Sequence, residues 1–251
     1  MTSQETAGAV VVARSREGND ELLAMLAKSG VPATAVETIR FEAPVDLRAV
    51  EGAVAGVSEY DWVAFTSPRA VAVFGERFRG AEGAGTRPRF AAVGPATAAA
   101  LREIGLTAGF VPERFLTSEL GEKLPLEEGR RVLLFRADIG DKGLVKALEK
   151  RGFEVTDVAA YRTLAVDGPL DRATVEGARL VAFASPSEVR GFASRLGSEG
   201  LARVAARATA VCIGPVTASA ARGAGFNSVE FPGRHTVASL AEKIAEVAAR
   251  A

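Results

Sequence analysis

Val63-Ala64-Phe65-Thr66-Ser67-Pro68 and Val181-Ala182-Phe183-Ala184-Ser185-Pro186 are one pattern used twice, an apolar run closed by Ser-Pro. Four apolar residues followed by turn chemistry read as a strand buried on both faces. Serine is a preferred N-cap, and proline is tolerated at the first helical position because its missing N–H has no intrahelical partner there. Each run is therefore a strand handing over to a helix, the unit from which parallel α/β sheets are built.

The pattern extends in both directions. Ala92-Val93-Gly94-Pro95-Ala96-Thr97-Ala98 matches Cys212-Ile213-Gly214-Pro215-Val216-Thr217-Ala218, and Phe110-Val111-Pro112 matches Glu230-Phe231-Pro232, in the same order. The next segment of the first copy, Arg131 to Thr163, holds the strand Val132-Leu133-Leu134-Phe135-Arg136, an amphipathic stretch to Lys150, Gly152 and a second strand. Its match lies at the other end of the chain: Val10-Val11-Val12-Ala13-Arg14, Glu21 to Lys28, Gly30 and a strand from Thr34 to Phe41. The repeat is circularly permuted. The expected architecture is α/β, with two similar lobes, each a parallel sheet flanked by helices. One lobe is discontinuous, residues 1–38 and 164–251, and the other, 39–163, is inserted into it. The β-rich linkers Glu37 to Glu42 and Ala159 to Leu164 hold equivalent places in the repeat and suit a two-stranded hinge.

Composition narrows the function. With 31 basic and 31 acidic residues the formal charge is zero, so no global field draws nucleic acid or an anionic membrane, and any anionic ligand must be met locally. The single cysteine, Cys212, excludes an intramolecular disulfide, and with a single histidine, His235, there is no cysteine-rich or multi-histidine metal site. Neither a dinucleotide fingerprint nor a Walker lysine is present. No metal and no organic cofactor are expected. Met1 to Gly8 lacks a basic segment leading into a long apolar run, and no stretch approaches the ~18 apolar residues of a spanning helix. The expectation is a cytoplasmic protein.

Ligands of open α/β sheets gather where strand hands over to helix. The Ser-Pro and Gly-Pro starts leave unsatisfied N–H donors and positive helix ends there, receptors for carboxylate or phosphate. Ser67, with Arg69 in its first turn, and Thr97 and Thr217, behind glycine caps, are the candidate binders. Ser185 is a fourth, although Ser185-x-x-Glu188 is a capping box whose side chains serve the helix itself. Arg14 and Arg136 close equivalent strands, as carboxylate partners or as structural ion pairs. His235 reads as a helix-start surface residue. Asp138 and Asp141 occupy a handover loop at no spacing that compels an acid/base pair.

Phe-Thr-Ser-Pro-Arg-Ala at 65–70, Val-Gly-Pro-Ala-Thr-Ala at 93–98, Ala-Tyr-Arg-Thr at 160–163, Phe-Ala-Ser-Pro-Ser at 183–187 and Ile-Gly-Pro-Val-Thr-Ala at 213–218 together resemble the dispersed signature of the uroporphyrinogen-III synthase family. The resemblance runs in order from about Val10 to Ile244. It implies two flavodoxin-like lobes joined by a two-stranded ladder, closing on hydroxymethylbilane and cyclising it with inversion of ring D and loss of water. On matching positions it implies Ser67, Thr97, Ser185 and Thr217 as binders and Tyr161 in leaving-group departure. It further implies a monomer that receives its substrate from hydroxymethylbilane synthase. A two-lobed protein that binds or senses a small anion without chemistry is the alternative.

Overall fold

In the computed structural model, which describes residues 10–78, 88–140, 142–168 and 170–250, strands and helices alternate along the chain. In order they are β1 (Val10–Arg14), α1 (Arg16–Lys28), β2 (Ala33–Glu37), β3 (Ile39–Glu42), α2 (Leu47–Ala55), β4 (Trp62–Phe65), α3 (Pro68–Gly75), β5 (Arg89–Ala92), α4 (Pro95–Glu103), β6 (Ala108–Phe110) and α5 (Thr117–Lys123). Then come β7 (Arg131–Ala137), α6 (Lys142–Lys150), β8 (Glu154–Ala165), α7 (Arg172–Glu176), β9 (Leu180–Phe183), α8 (Pro186–Ala205), β10 (Thr209–Cys212), α9 (Pro215–Gly223), β11 (Ser228–Glu230) and α10 (Val237–Ala248). The chain divides into two compact units, Met1–Phe41 with Leu164–Ala251, and Glu42–Thr163.

The first unit holds a five-stranded sheet of order β11-β10-β9-β1-β2, with every recorded pairing parallel. Side chains alternate across it, as a pleated strand requires. Val11, Ala13, Val181, Phe183, Ala210 and Cys212 enter one core, with Val189 and Phe192 of α8. Val10, Val12, Leu180, Ala182 and Val211 enter the other, with Leu22 and Leu26 of α1 and Leu240 and Ile244 of α10. Burial on both faces explains why these strands read as unbroken apolar runs.

In the second unit the strands run in the order β8-β7-β4-β5-β6, parallel in turn. One face packs Trp62, Ala64, Val132 and Leu134 with Leu120, Leu144 and Leu148. On the other, Phe74 of α3 meets Phe65 and Phe135 edge-on at 5.3 and 5.6 Å between ring centroids. Strands β8-β7-β4-β5-β6 thus follow the connectivity of β2-β1-β9-β10-β11. In each sheet the winding reverses at one place, between β7 and β4 and between β1 and β9, and that is where ligands of doubly wound sheets bind.

Two local expectations are corrected. The run Thr34 to Phe41 is not one strand, because β2 ends at Glu37 and β3 begins at Ile39. At the break, Thr38 is fully buried; its N–H donates to Arg14 O (2.9 Å) and its carbonyl accepts from Val166 N (3.1 Å). The first helix starts at Arg16 rather than near Glu21, because Ser15 Oγ accepts the Gly18 N–H and caps it.

Candidate functional site

At the reversal of the Glu42–Thr163 unit, β4 ends at Phe65 and α3 begins at Pro68 with Ser67 as its N-cap. Ser67 Oγ accepts the Ala70 N–H at 3.2 Å and lies 3.0 Å from the Tyr161 hydroxyl, 94 positions along the chain. Tyr161 is brought there by β8, whose register with β7 shifts after Arg136, so that Ala137 pairs with Tyr161. Burial pushes the Tyr161 hydroxyl above its ordinary pKa, further helped by Asp138, against the hydrogen bond from Ser67 and the positive charge of Arg69. The phenol is therefore held protonated, a donor rather than a phenolate. Asp138 is exposed and folds back on the loop, accepting the Ile139 and Thr163 N–H groups at 2.9 and 3.0 Å; Asp141 lies outside the described residues. Arg136 is buried and forks onto Asp157, its Nε donating to Oδ1 at 2.7 Å and its Nη2 to Oδ2.

The reversal of the other unit has the same frame and different contents. Ser185 caps α8 in a full capping box with Glu188. The Glu188 Oε2 accepts the Ala184 N–H and, at 3.0 Å, the Ser185 N–H, while Oε1 accepts Arg14 Nε at 3.4 Å. Arg14 also donates to Gly18 O at 2.8 Å. Burial pushes the Glu188 carboxyl up to about 7, against the pull of Arg14 and of the two amides.

The Gly-Pro starts follow the sequence reading in part. Gly94 and Gly214 are the N-caps of α4 and α9, with proline next. Thr97 and Thr217 are nearly enclosed, 2% and 3% exposed, and among the described residues no side-chain hydrogen bond engages either hydroxyl. The glycines serve packing. A Cβ on Gly94 would lie 3.2 Å from Phe115 Cβ, and one on Gly214 would lie 3.0 Å from His235 Cγ. Phe115 and His235 are equivalent in the repeat, three residues after Pro112 and Pro232, so each loop lays a ring over the neighbouring helix start. Glu119 pins the first loop, accepting the Arg114 N–H at 2.6 Å and the Lys123 ammonium at 2.7 Å. Continuing the repeat by three residues past each proline would have exposed this pairing. The Ser67–Tyr161, Arg136–Asp157 and Arg14–Glu188 contacts have no such sequence signal.

Cys212 is buried in β10, and burial pushes its thiol up to about 12, as expected of a core strand thiol. Among the described residues, no group of three or more His, Cys, Asp and Glu is arranged to hold a metal, and no helix is long and apolar enough to cross a membrane.

Two parallel α/β units of flavodoxin-like strand order, each with a serine-capped helix start where its winding reverses, define a class of paired doubly wound α/β proteins. Within it, the chain belongs to the uroporphyrinogen-III synthase family: the model described as "Uroporphyrinogen-III synthase HemD" matches residues 20–242. The chain is 32% identical over 236 residues to the chloroplastic uroporphyrinogen-III synthase of Oryza sativa subsp. japonica, covering 89% of this chain and 75% of that one. It is 27% identical over 230 residues to the uroporphyrinogen-III synthase of Synechococcus elongatus, covering 86% and 87%. In fold it is similar to a mutant uroporphyrinogen III synthase from Thermus thermophilus, with TM-score 0.70, 21% identity and coverage of 97% and 99%.

Proposed function

We propose that the chain is a uroporphyrinogen-III synthase, a lyase that cyclises hydroxymethylbilane to uroporphyrinogen III with inversion of ring D and loss of water. Family membership supports the reaction, and the observation that carries its chemistry is the buried, protonated Tyr161 hydroxyl 3.0 Å from Ser67.

Hydroxymethylbilane is intrinsically reactive. It loses its terminal hydroxyl unaided and closes without inversion, so the catalyst's task is orientation more than activation. Acetate and propionate carboxylates on every ring ask for many anion contacts, and neutral donors supply them without concentrating charge. Ser67, Arg69, Thr97 and Thr217 are assigned to that grip. Tyr161 donates its hydrogen to the departing hydroxyl: the carbon–oxygen bond breaks, the oxygen leaves as water, and the cation left on the bilane is attacked by the substituted carbon of ring D. The spiro intermediate so formed reopens and recloses with ring D inverted, and the proton the cyclised cation then loses restores the Tyr161 phenol. The pair suits this role because Ser67 Oγ already accepts the Ala70 N–H. By donating its own hydrogen to the tyrosine oxygen, it fixes where that oxygen stands.

The same reading takes the enzyme as a cytoplasmic monomer that needs no metal or organic cofactor. It receives hydroxymethylbilane from the synthase that makes it, since a substrate that closes spontaneously favours a short transfer. Incubating the purified protein with hydroxymethylbilane and separating the isomers tests the proposal. Isomer III as the major product is expected, whereas isomer I alone, at the spontaneous rate, refutes it and leaves a protein that binds without chemistry.

A further inference from the structure

The ladder that delivers Tyr161 departs from its repeat-related counterpart. Where β1 pairs with β2 the register runs unbroken to Arg14 and Glu37, and the next residue, Ser15, already caps α1. Between β7 and β8 it breaks: Arg136 pairs with Ala159 but Ala137 with Tyr161, so Ala160 is an extra residue on β8. An insertion of this kind re-aims the side chains that follow it. Without it Ala160 would stand opposite Ala137, and every side chain beyond would change face. Asp138, the first residue after β7, holds β8 on the far side of the shift. Its N–H donates to the Tyr161 carbonyl at 3.0 Å, and its Oδ1 accepts the Thr163 N–H at 3.0 Å. The same Oδ1 accepts the Ile139 N–H at 2.9 Å, which anchors the carboxylate to its own loop. In the other copy the residue two places after the strand-end arginine is Arg16, which opens α1 and has no acceptor in its side chain.

We infer that Asp138 is a positioning residue for the reaction: by holding the Thr163 N–H, its carboxylate latches the shifted stretch of β8 and so keeps the Tyr161 hydroxyl at Ser67. The inference rests on the role proposed above for Tyr161, and it gives Asp138 a task other than that of acid or base. Its side chain is exposed and bonded to two backbone amides, the bonding of a strap. Tyr161 rides on the backbone between the two points where Asp138 grips β8, and its hydroxyl stands 3.0 Å from Ser67 Oγ. Movement of that backbone is carried to the hydroxyl, and misplacing a reacting group by about 1 Å can cost up to roughly a hundredfold in rate. Position and charge are separable here. The Asp138 charge opposes ionisation of the Tyr161 phenol and Arg69 favours it, whereas the latch needs only an acceptor oxygen.

Two substitutions test this. Asp138→Ala removes the latch, and Asp138→Asn keeps it without the charge, because the amide oxygen still accepts an N–H. Asp138→Ala is expected to lower kcat on the order of tenfold and to leave the KM for hydroxymethylbilane unchanged, while Asp138→Asn retains most of the natural rate. In a Tyr161→Phe background Asp138→Ala should cost little more, since the hydroxyl it positions is already gone. The nuclear Overhauser effect between the Tyr161 ring and the Ser67 β protons reads the position directly. It is expected in the natural sequence and in Asp138→Asn, and weakened in Asp138→Ala. An unchanged kcat in a folded Asp138→Ala, a loss confined to KM, or a loss undiminished in the Tyr161→Phe background overturns the inference. So does an Asp138→Asn as slow as Asp138→Ala, which would assign the effect to charge. Should Asp138→Ala fail to fold, Asp138→Leu, similar in shape and without an acceptor, decides by the same readings. The isomer assay of the unaltered protein reads the proposed function by itself, and the Overhauser contact needs no turnover. A protein that makes isomer III, with that contact undisturbed in Asp138→Ala, therefore fails here alone.

Discussion

At the residue scale the proposed chemistry rests on one hydroxyl pair, Ser67 and Tyr161. Tyr161→Phe keeps the ring and removes the donor, so turnover is expected to fall by roughly tenfold to several hundredfold, with isomer III still dominant once spontaneous closure is subtracted. Ser67→Ala should lower the rate as well and add little on top of Tyr161→Phe, because both changes break one interaction. Rates in a double-mutant cycle measure this, and fully additive losses would separate the two roles. Glu188 titrates differently from a surface carboxyl. Its folded pKa of about 7 lies above the ordinary 4.5, so the folded state keeps a proton that the unfolded state releases. Stability therefore declines as pH rises from about 4.5 to 7, by roughly 3 kcal/mol if no other group compensates. Glu188→Gln retains a capping partner and cannot ionise, so urea unfolding across that range should show a flatter pH dependence.

At the scale of elements, the helix starts were the most legible features and the strand ends the least. Ser67, Ser185, Gly94 and Gly214 all stand at N-caps with proline following, because a cap and a first-turn proline are contained within a few residues. Ser15 caps α1 without a proline following it. The break at Thr38 had no sequence signal, since Thr34 to Phe41 is rich in residues that suit strands throughout. What interrupts it is α8: a Cβ on Gly191 would lie 2.3 Å from the Thr38 carbonyl oxygen. That oxygen also accepts the Val166 N–H, so the backbone there has little room to retreat. Gly191→Ala is accordingly expected to destabilise by about 3 kcal/mol or more, by overpacking against backbone, seen as a lowered urea midpoint. Gly52→Ala, where no atom lies within 4 Å of the new Cβ, is the matched control and should be neutral or slightly stabilising.

For the whole molecule, the unit Glu42–Thr163 is continuous in sequence and carries its own sheet, with apolar packing on both faces. A fragment spanning it is expected to fold alone, giving a single cooperative urea transition by circular dichroism. A chain lacking cooperativity would mean that this core depends on the rest of the protein. The other unit is drawn from both chain ends, and its strand β1 lies between β2 and β9, which are separated by the whole inserted segment. Closing so long a loop costs entropy that grows only slowly with length, so such insertions are tolerated.

Local chemistry and repetition carried much of this protein in its sequence: the α/β class, the parallel sheets, the helix starts and the family. Each of those signals is held by neighbouring residues or by the order of motifs. The tertiary structure decided which side chain answers which. Arg14 meets Glu188 across 174 positions, Ser67 meets Tyr161 across 94, and Arg136 meets Asp157 across 21. Those choices depend on sheet order, on the register shift after Arg136 and on burial, properties of the packed chain that no single segment encodes.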